Sequence, residues 1–578
     1  MPNQQDNNNG TVPYDQKPSD ITRSENRPNI LLLMCDQMRF DTIGAAGYSH
    51  MYTPNLDQLV ESGRIYTQAY TPVPDGMPAR HNILTGLTGK THGYTENNEG
   101  YSMPGWINTF PKVLSDHGYE TVSIGKNQFQ PARRHHGYDR IHLMERYPDY
   151  REQDDYGLYL KASGWGNILN PHGCENLLYH IPQQSILPEE HMGDSWVADR
   201  AIDFLQTNSG RHPWLMKVSW LSPHPPQCPA PRFADLYDEI ELPRQLRSKT
   251  PLSRQAMENV RLTEGLSDRL QNRYRQLYYG AISQVDYNVG RILDALESTE
   301  QTEKTLIIFT SDHGEMLGDH GALEKGLPYD SCTRIPLILS RPGTIPPGEQ
   351  VDDFADLNDI FPTILDAAGI HIDYKNTAFP GESLLTAEEK KRKDRTAQYV
   401  EYSAGLRRWI SLRTKDYKYN YYYNGAYEEL FDLKADPDES SNLLHNITEE
   451  KILSVRDELR KELIKYESSR GPEGCLQEDG FIKLNEAPAL SKRKDLYPKF
   501  HKKIMNKDEK NRMNTLSEEI LQYIEKEALV HLEELDLPGW QESGGFSDKH
   551  IKDLLEKEKK MRQKQQKKKD SETVRRES

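Results

Sequence analysis

No stretch of this chain approaches the ~18 consecutive apolar residues that a helix needs to cross a bilayer. Its first residues, Met1 to Arg27, have neither a basic start nor an apolar core and do not read as a secretory signal. Rich in Asn, Gln, Asp and Pro, they predict a disordered leader, and a soluble, cytoplasmic protein is the expectation. Cysteine is scarce and scattered: Cys35, Cys174, Cys228, Cys332 and Cys475 form no CxxC or Cys/His spacing, which argues against a zinc site or a disulfide framework. Positive charge is in deficit as well. A formal charge of -16 argues against nucleic acid as the main partner, because neutralising phosphates requires a basic surface.

At 578 residues the chain exceeds one ordinary core, so two domains plus appendages are expected. Asn29 to Cys35 is a continuous apolar run ending in Asp36-Gln37, the pattern of a buried central strand with polar residues emerging at its carboxyl end. Thr305 to Ser311, followed by Asp312-His313-Gly314-Glu315, repeats that design. Thr121 to Ile124 and Trp214 to Ser219 are further strands, and Trp196 to Gln206 and Leu277 to Leu296 have helical spacing. The alternation predicts an α/β fold with a large, mostly parallel sheet sandwiched by helices. After Pro380 the pattern changes. Trp409 to Arg413, Tyr417 to Tyr423 and Glu428 to Leu433 read as antiparallel strands, and Glu450 to Tyr466 as an amphipathic helix. The division expected is a leader (1–27), a main domain (28–380), a small antiparallel-sheet subdomain (381–475) and a charged helical or partly disordered extension (476–578).

Asp36, Gln37, Asp312 and His313 would bring oxygen and nitrogen donors from two strand ends to one crevice, where ligand sites of open α/β sheets lie. Such a set suits one hard divalent cation, calcium first, with magnesium or manganese as alternatives.

The stretch Thr71 to Gly86 contains Gly76-Met77-Pro78-Ala79-Arg80 and closes on Leu84-Thr85-Gly86. Together with the two acidic pairs it resembles the signature of the sulfatase family of the alkaline-phosphatase-like superfamily, over roughly residues 28 to 470. The Asp-Gln form of the first pair is similar to that of phosphonate monoester hydrolases. The resemblance implies a sulfuric ester hydrolase whose nucleophile, a formylglycine made from Cys or Ser, stands where this chain has Gly76. It implies that Arg80 orients the nucleophile near the metal. In Gly125-Lys126-Asn127-Gln128, Lys126 would bridge metal-site groups, while Gln128 takes the position of a His that helps the covalent intermediate collapse. His224, in Pro223-His224-Pro225, would protonate the leaving oxygen, and Lys325 would hold the sulfate oxygens. The ligand implied is a small anionic ester, a sulfated sugar or an aryl sulfate; nothing in the sequence speaks to oligomeric state.

Two departures follow from the residues themselves. Gly76 carries no aldehyde, hydroxyl or thiol, so the covalent route is closed, and Gln128 does not titrate. Three accounts stay open: a non-catalytic binder of metal and anion, a phosphoesterase or phosphonate esterase using metal-bound hydroxide with help from Asp75, and a scaffold built on the charged carboxyl-terminal helices. His135-His136 reads as a solvated loop, and the Tyr417 to Tyr423 stripe as strand aromatics packed on the subdomain.

Overall fold

The computed structural model describes residues 27–486 except 147, 149–152, 167, 169, 174–178, 209, 264–265, 372–378, 386–394 and 479. The expected leader, save Arg27, and the extension beyond residue 486 lie outside the described residues. Among those described, no helix is long and apolar enough to cross a membrane.

The apolar run Asn29–Cys35 forms β1. Leu31, Leu33 and Cys35 enter one core cluster and Ile30, Leu32 and Met34 another, so the strand is covered on both faces. After α1 (Pro54–Ser62) come β2 (Arg64–Tyr70) and α2 (Gly76–Thr85), then β3 (Glu120–Gly125), β4 (Arg140–Leu143), β5 (Trp214–Ser219), β6 (Thr305–Ser311), β7 (Leu337–Ser340) and β8 (Glu349–Asp356). These strands make one sheet in the order β4-β3-β5-β1-β6-β7-β2-β8, in which β7 alone runs against its neighbours. Helices Gly193–Thr207 and Asp268–Ser298 cover the face of Leu31 and Leu33, while α2, Phe110–Asp116 and Ile360–Ala367 cover the other.

The four strands expected in the main domain, β1, β3, β5 and β6, are adjacent in the sheet. Strands β2, β4, β7 and β8 were unforeseen; β4 and β8 are the edges, where Glu349–Asp356 keeps charged residues in solvent, while β2 and the four-residue β7 lie inside the sheet.

A second, antiparallel sheet contains β9 (Ala397–Tyr402), β10 (Trp409–Thr414), β11 (Tyr417–Tyr422) and β12 (Tyr427–Asp432). Helix Glu450–Arg470 lies on it, and Tyr419, Tyr421 and Tyr423 are buried in its core, where Tyr421 meets Phe481 at 4.4 Å between ring centres. The tyrosine stripe is therefore packing. Arg408 is buried here between Glu401 (2.8 Å) and Glu467 (2.7 Å), which also accepts from Tyr399 and Tyr423.

Candidate active site

Strand register builds the site. β1 and β6 are parallel with Cys35 opposite Ser311, so Asp36 and Asp312, each one residue further, leave the sheet side by side. Backbone bonds fix them there: the Gln37 N–H donates to Asp312 Oδ1 (3.0 Å), and the Tyr278 hydroxyl of helix Asp268–Ser298 donates to the Gln37 carbonyl (2.7 Å). β3 pairs with β5 so that Gly125 faces Ser219, which delivers Lys126 to the same end, and its ammonium pairs with Asp36 Oδ2.

Asp36, Asp312 and His313 are buried, with ligand atoms that all lie within 4.8 Å of one another. His313 Nδ1 donates to the Gly314 carbonyl (2.9 Å), leaving Nε2 as an acceptor turned toward Asp36 Oδ1, 3.9 Å away. Neither atom has a hydrogen-bond partner. Two buried acceptors facing each other without a donor are costly unless a cation lies between them, so this donor set fits one hard divalent ion. Gln37, the fourth expected ligand, carries side-chain hydrogen bonds of its own. Its oxygen accepts from Lys325 Nζ (2.6 Å) and its nitrogen donates to Glu315.

Arg80 lies one turn along α2 from Gly76 and is buried. Its guanidinium donates to Asp312 Oδ2 (3.0 Å), the Lys126 carbonyl (3.0 Å) and Ser219 Oγ (2.8 Å), and lies 3.5 Å from Asp36. Burial raises the Asp36 pKa, but the cations around it, Lys126 first, overcome that and hold it well below the usual carboxylate range. Lys126 is lowered: burial outweighs its gain from Asp36, and Arg80 repels it.

Asp75 caps α2, accepting the Gly76 N–H at 3.1 Å and the Asn97 N–H at 2.7 Å. Burial raises its pKa and Lys325 opposes the shift. Gly76 and Gln128, remote in sequence, meet here. A Cβ built on Gly76 would overlap Gln128 Oε1 and lie 3.0 Å from its Cδ. The Gln128 backbone, at φ 55°, is held by Glu145, which accepts the N–H groups of Gln128 (2.7 Å) and Asn127 (3.0 Å).

Across the cradle Lys325 Nζ is 3.0 Å from His224 Nε2, and Arg146 reaches the same nitrogen at 3.3 Å. His224 Nδ1 donates to the Pro225 carbonyl (2.7 Å), so Nε2 is an acceptor. Burial, then Lys325 and Arg146, push the His224 pKa well below its ordinary value. The expected general acid is thus a neutral imidazole in this arrangement, and the donor beside it is Lys325.

Every expected site residue lies at this one end of the sheet; what sequence reasoning missed is the support around them. Glu315, raised to about 7 by burial and by Glu324, anchors Gln37. Lys217 donates to the Asn127 side chain (2.5 Å) and props the loop that carries Lys126 and Gln128. Glu145 and Arg146 follow the weak edge strand β4, so no strand-end signal marked them. His136 corrects the solvated-loop expectation: its ring packs 4.6 Å from Phe129 because the loop folds back on the site, while His135 stays exposed.

Comparison with known proteins agrees with this geometry. The family model described as Sulfatase matches residues 28–370, and one for the carboxyl-terminal part of N-sulphoglucosamine sulphohydrolase matches residues 318–469. An arylsulfatase of Clostridium perfringens is 31% identical over 474 residues, 76% of this chain and 94% of its own. An N-acetylglucosamine-6-O-sulfatase of Bacteroides thetaiotaomicron is 26% identical over 72% of this chain and 82% of its own. The crystal structure of the phosphonate monoester hydrolase of Agrobacterium radiobacter superposes with a TM-score of 0.65 over 79% of this chain and 100% of its own, at 24% identity. A chain matched by that family model over more than half its length, with these strand ends converging on a buried Asp-Asp-His cradle, belongs to the sulfatase family of the alkaline-phosphatase-like superfamily.

Proposed function

We propose that this chain is a metal-dependent hydrolase of sulfuric esters that works without a covalent enzyme intermediate. Water displaces the alcohol from sulfur directly: a sulfur–oxygen bond forms to water, the ester sulfur–oxygen bond breaks, and its electron pair stays on the leaving oxygen. That oxygen takes a proton from the Lys325–His224 pair, and the proton shed by water leaves with the sulfate product and re-protonates the pair through solvent. A divalent cation, calcium first and magnesium or manganese as alternatives, would be held by Asp36, Asp312 and His313 and would act as a Lewis acid on the sulfuryl oxygens. Arg80 and Lys126 bring fixed positive charge to the same oxygens, and Asp75, its pKa raised, is the base nearest the Gly76 position.

The observation that carries this reading is the division of the departures. By the family resemblance Gly76 and Gln128 stand at the two positions that serve a covalent intermediate, whereas Lys325 lies 3.0 Å from His224 and Asp36, Asp312 and His313 remain grouped. A site that only bound anions would have no use for a proton donor on the leaving oxygen. The names of the sequence relatives favour an aryl sulfate or a sulfated sugar as the small anionic substrate.

One observation favours a second reading, binding without cleavage: the Gln128 amide fills the space beside Gly76. An assay separates the two. Purified chain, with calcium, magnesium or manganese, is tested for nitrophenol release from its sulfate, phosphate and phosphonate esters beside an Asp312→Ala control. Metal-dependent sulfate turnover lost in the control supports hydrolysis; metal binding with no turnover above the control rejects it in favour of binding. Turnover of the phosphate or phosphonate ester in preference to sulfate would move the substrate class.

A further inference from the structure

We propose that the Gln128 carboxamide, which occupies the space a side chain at position 76 would take, is a ligand of the bound cation, so that Gly76 and Gln128 act as one coupled pair. The inference rests on the cation cradle of the preceding section but not on turnover. Gly76 and Arg80 are four residues apart on α2 and share a helix face. Since Arg80 lies on Asp36 and Asp312, a side chain at 76 would extend from that face toward the same cradle, and Gln128 Oε1 occupies the volume it would take.

That oxygen is buried and has no hydrogen-bond partner. Asp36 Oδ1 and His313 Nε2 share this condition. Each is a buried acceptor left without a donor, a condition that a bound cation relieves. Hard divalent ions take six or more donors, mostly oxygen, and the Asp-Asp-His set is short of that number. Gln37, whose oxygen also accepts from Lys325, would still leave the set short of six. A second carboxamide oxygen from Gln128 is a donor of the same hard type.

The aim of Gln128 is built in. Glu145 accepts the backbone N–H groups of residues 127 and 128 and holds Gln128 in the left-handed region, while Lys217 fixes Asn127 from the other side. Lys126, two residues earlier, pairs with Asp36, so the loop is tied to the cradle at one point and reaches Gly76 at the next. A Cβ at 76 would push the Gln128 amide away, which makes glycine the residue that permits the arrangement.

The test is isothermal titration of Ca2+ and Mn2+ into EDTA-treated full-length protein, with thermal melts in EDTA to establish folding. Gln128→Met keeps the volume and removes the donor; it is expected to weaken the affinity roughly 10- to 100-fold. Gly76→Ala is expected to weaken it similarly, and the double variant no more than Gln128→Met alone. Gln128→Glu, which adds charge to the donor, is expected to bind more tightly than wild type and keeps the test decisive if Gln128→Met fails to fold. Affinity within twofold of wild type in Gln128→Met, or weaker binding in Gln128→Glu, overturns the proposal. A wild type that binds no metal overturns both this inference and the hydrolase reading. A wild type that binds metal in a Gln128-dependent way but hydrolyses nothing leaves the inference standing and removes the hydrolase reading alone.

Discussion

Replacing Asp312 with Asn probes the centre of the site with almost no change of shape. The native carboxylate accepts Arg80 Nε at 3.0 Å, the Gln37 N–H at 3.0 Å and the His313 N–H at 2.9 Å, and pairs with the second guanidinium nitrogen at 2.9 Å. An amide offers one acceptor oxygen for two sets of donors, so its NH2 must face either Arg80 or two backbone N–H groups. The buried Arg80 is left with Asp36, 3.5 Å away and already paired to Lys126. Breaking one partner of a buried ion pair costs about 3–5 kcal/mol, and that loss is expected in EDTA. Calcium at a hundred times its Kd stabilises the wild type by about 2.7 kcal/mol, and the variant, lacking a ligand, does not share that gain. The gap should therefore widen to about 6–8 kcal/mol in calcium. Urea unfolding of both proteins, with EDTA and with calcium, measures the four stabilities. A deficit under about 1 kcal/mol in EDTA, or an equal calcium gain in the variant, would refute the charge reasoning or the ligand assignment respectively.

Three further outcomes are expected. Lys325→Met should reduce kcat/KM for an alkyl sulfate about 10- to 100-fold more than for nitrophenyl sulfate, because a poor leaving group needs the proton more; equal losses would reduce Lys325 to an anion anchor. Burial lowers His320 to about 4, so its contribution to stability is present above the unfolded value near 6.5 and is lost as pH falls toward 4. The advantage of wild type over His320→Asn should thus shrink on acidification by up to about 3 kcal/mol, and a pH-independent difference in urea midpoints would contradict it. Arg408→Met leaves Glu401 and Glu467 buried together without their cation, a loss of about 3–5 kcal/mol in urea unfolding at neutral pH. Acid should narrow that loss as the carboxylates protonate.

The central strands were legible because a strand covered on both faces must be apolar throughout, and Asn29–Cys35, Trp214–Ser219 and Thr305–Ser311 match their expected limits. The edge strands β4 and β8 were not, since they answer to solvent on one side and carry mixed residues; interior β2 was missed for its mixed residues and buried β7 for its length of four. The candidate metal ligands were legible for the same reason as the strands: a polar residue directly after a buried run has to sit at the sheet's end.

Hydrogen-bond commitments are another matter. That Gln37 spends its amide on Lys325 and Glu315, and that His224 is an acceptor for two cations, depends on partners far away in the chain. The relation between Gly76 and Gln128 belongs to this class. In sequence they are two separate losses, of a nucleophile and of an imidazole, and each alone argues for decay. In space the second residue fills the volume beside the first, and its loop is fastened by Glu145 and Lys217. Two independent losses predict a cavity lined by idle groups, whereas a filled volume with an unpartnered buried acceptor is what a rebuilt site predicts. The metal affinities of the Gly76 and Gln128 variants distinguish these cases, because idle groups would contribute independently and a rebuilt pair would not.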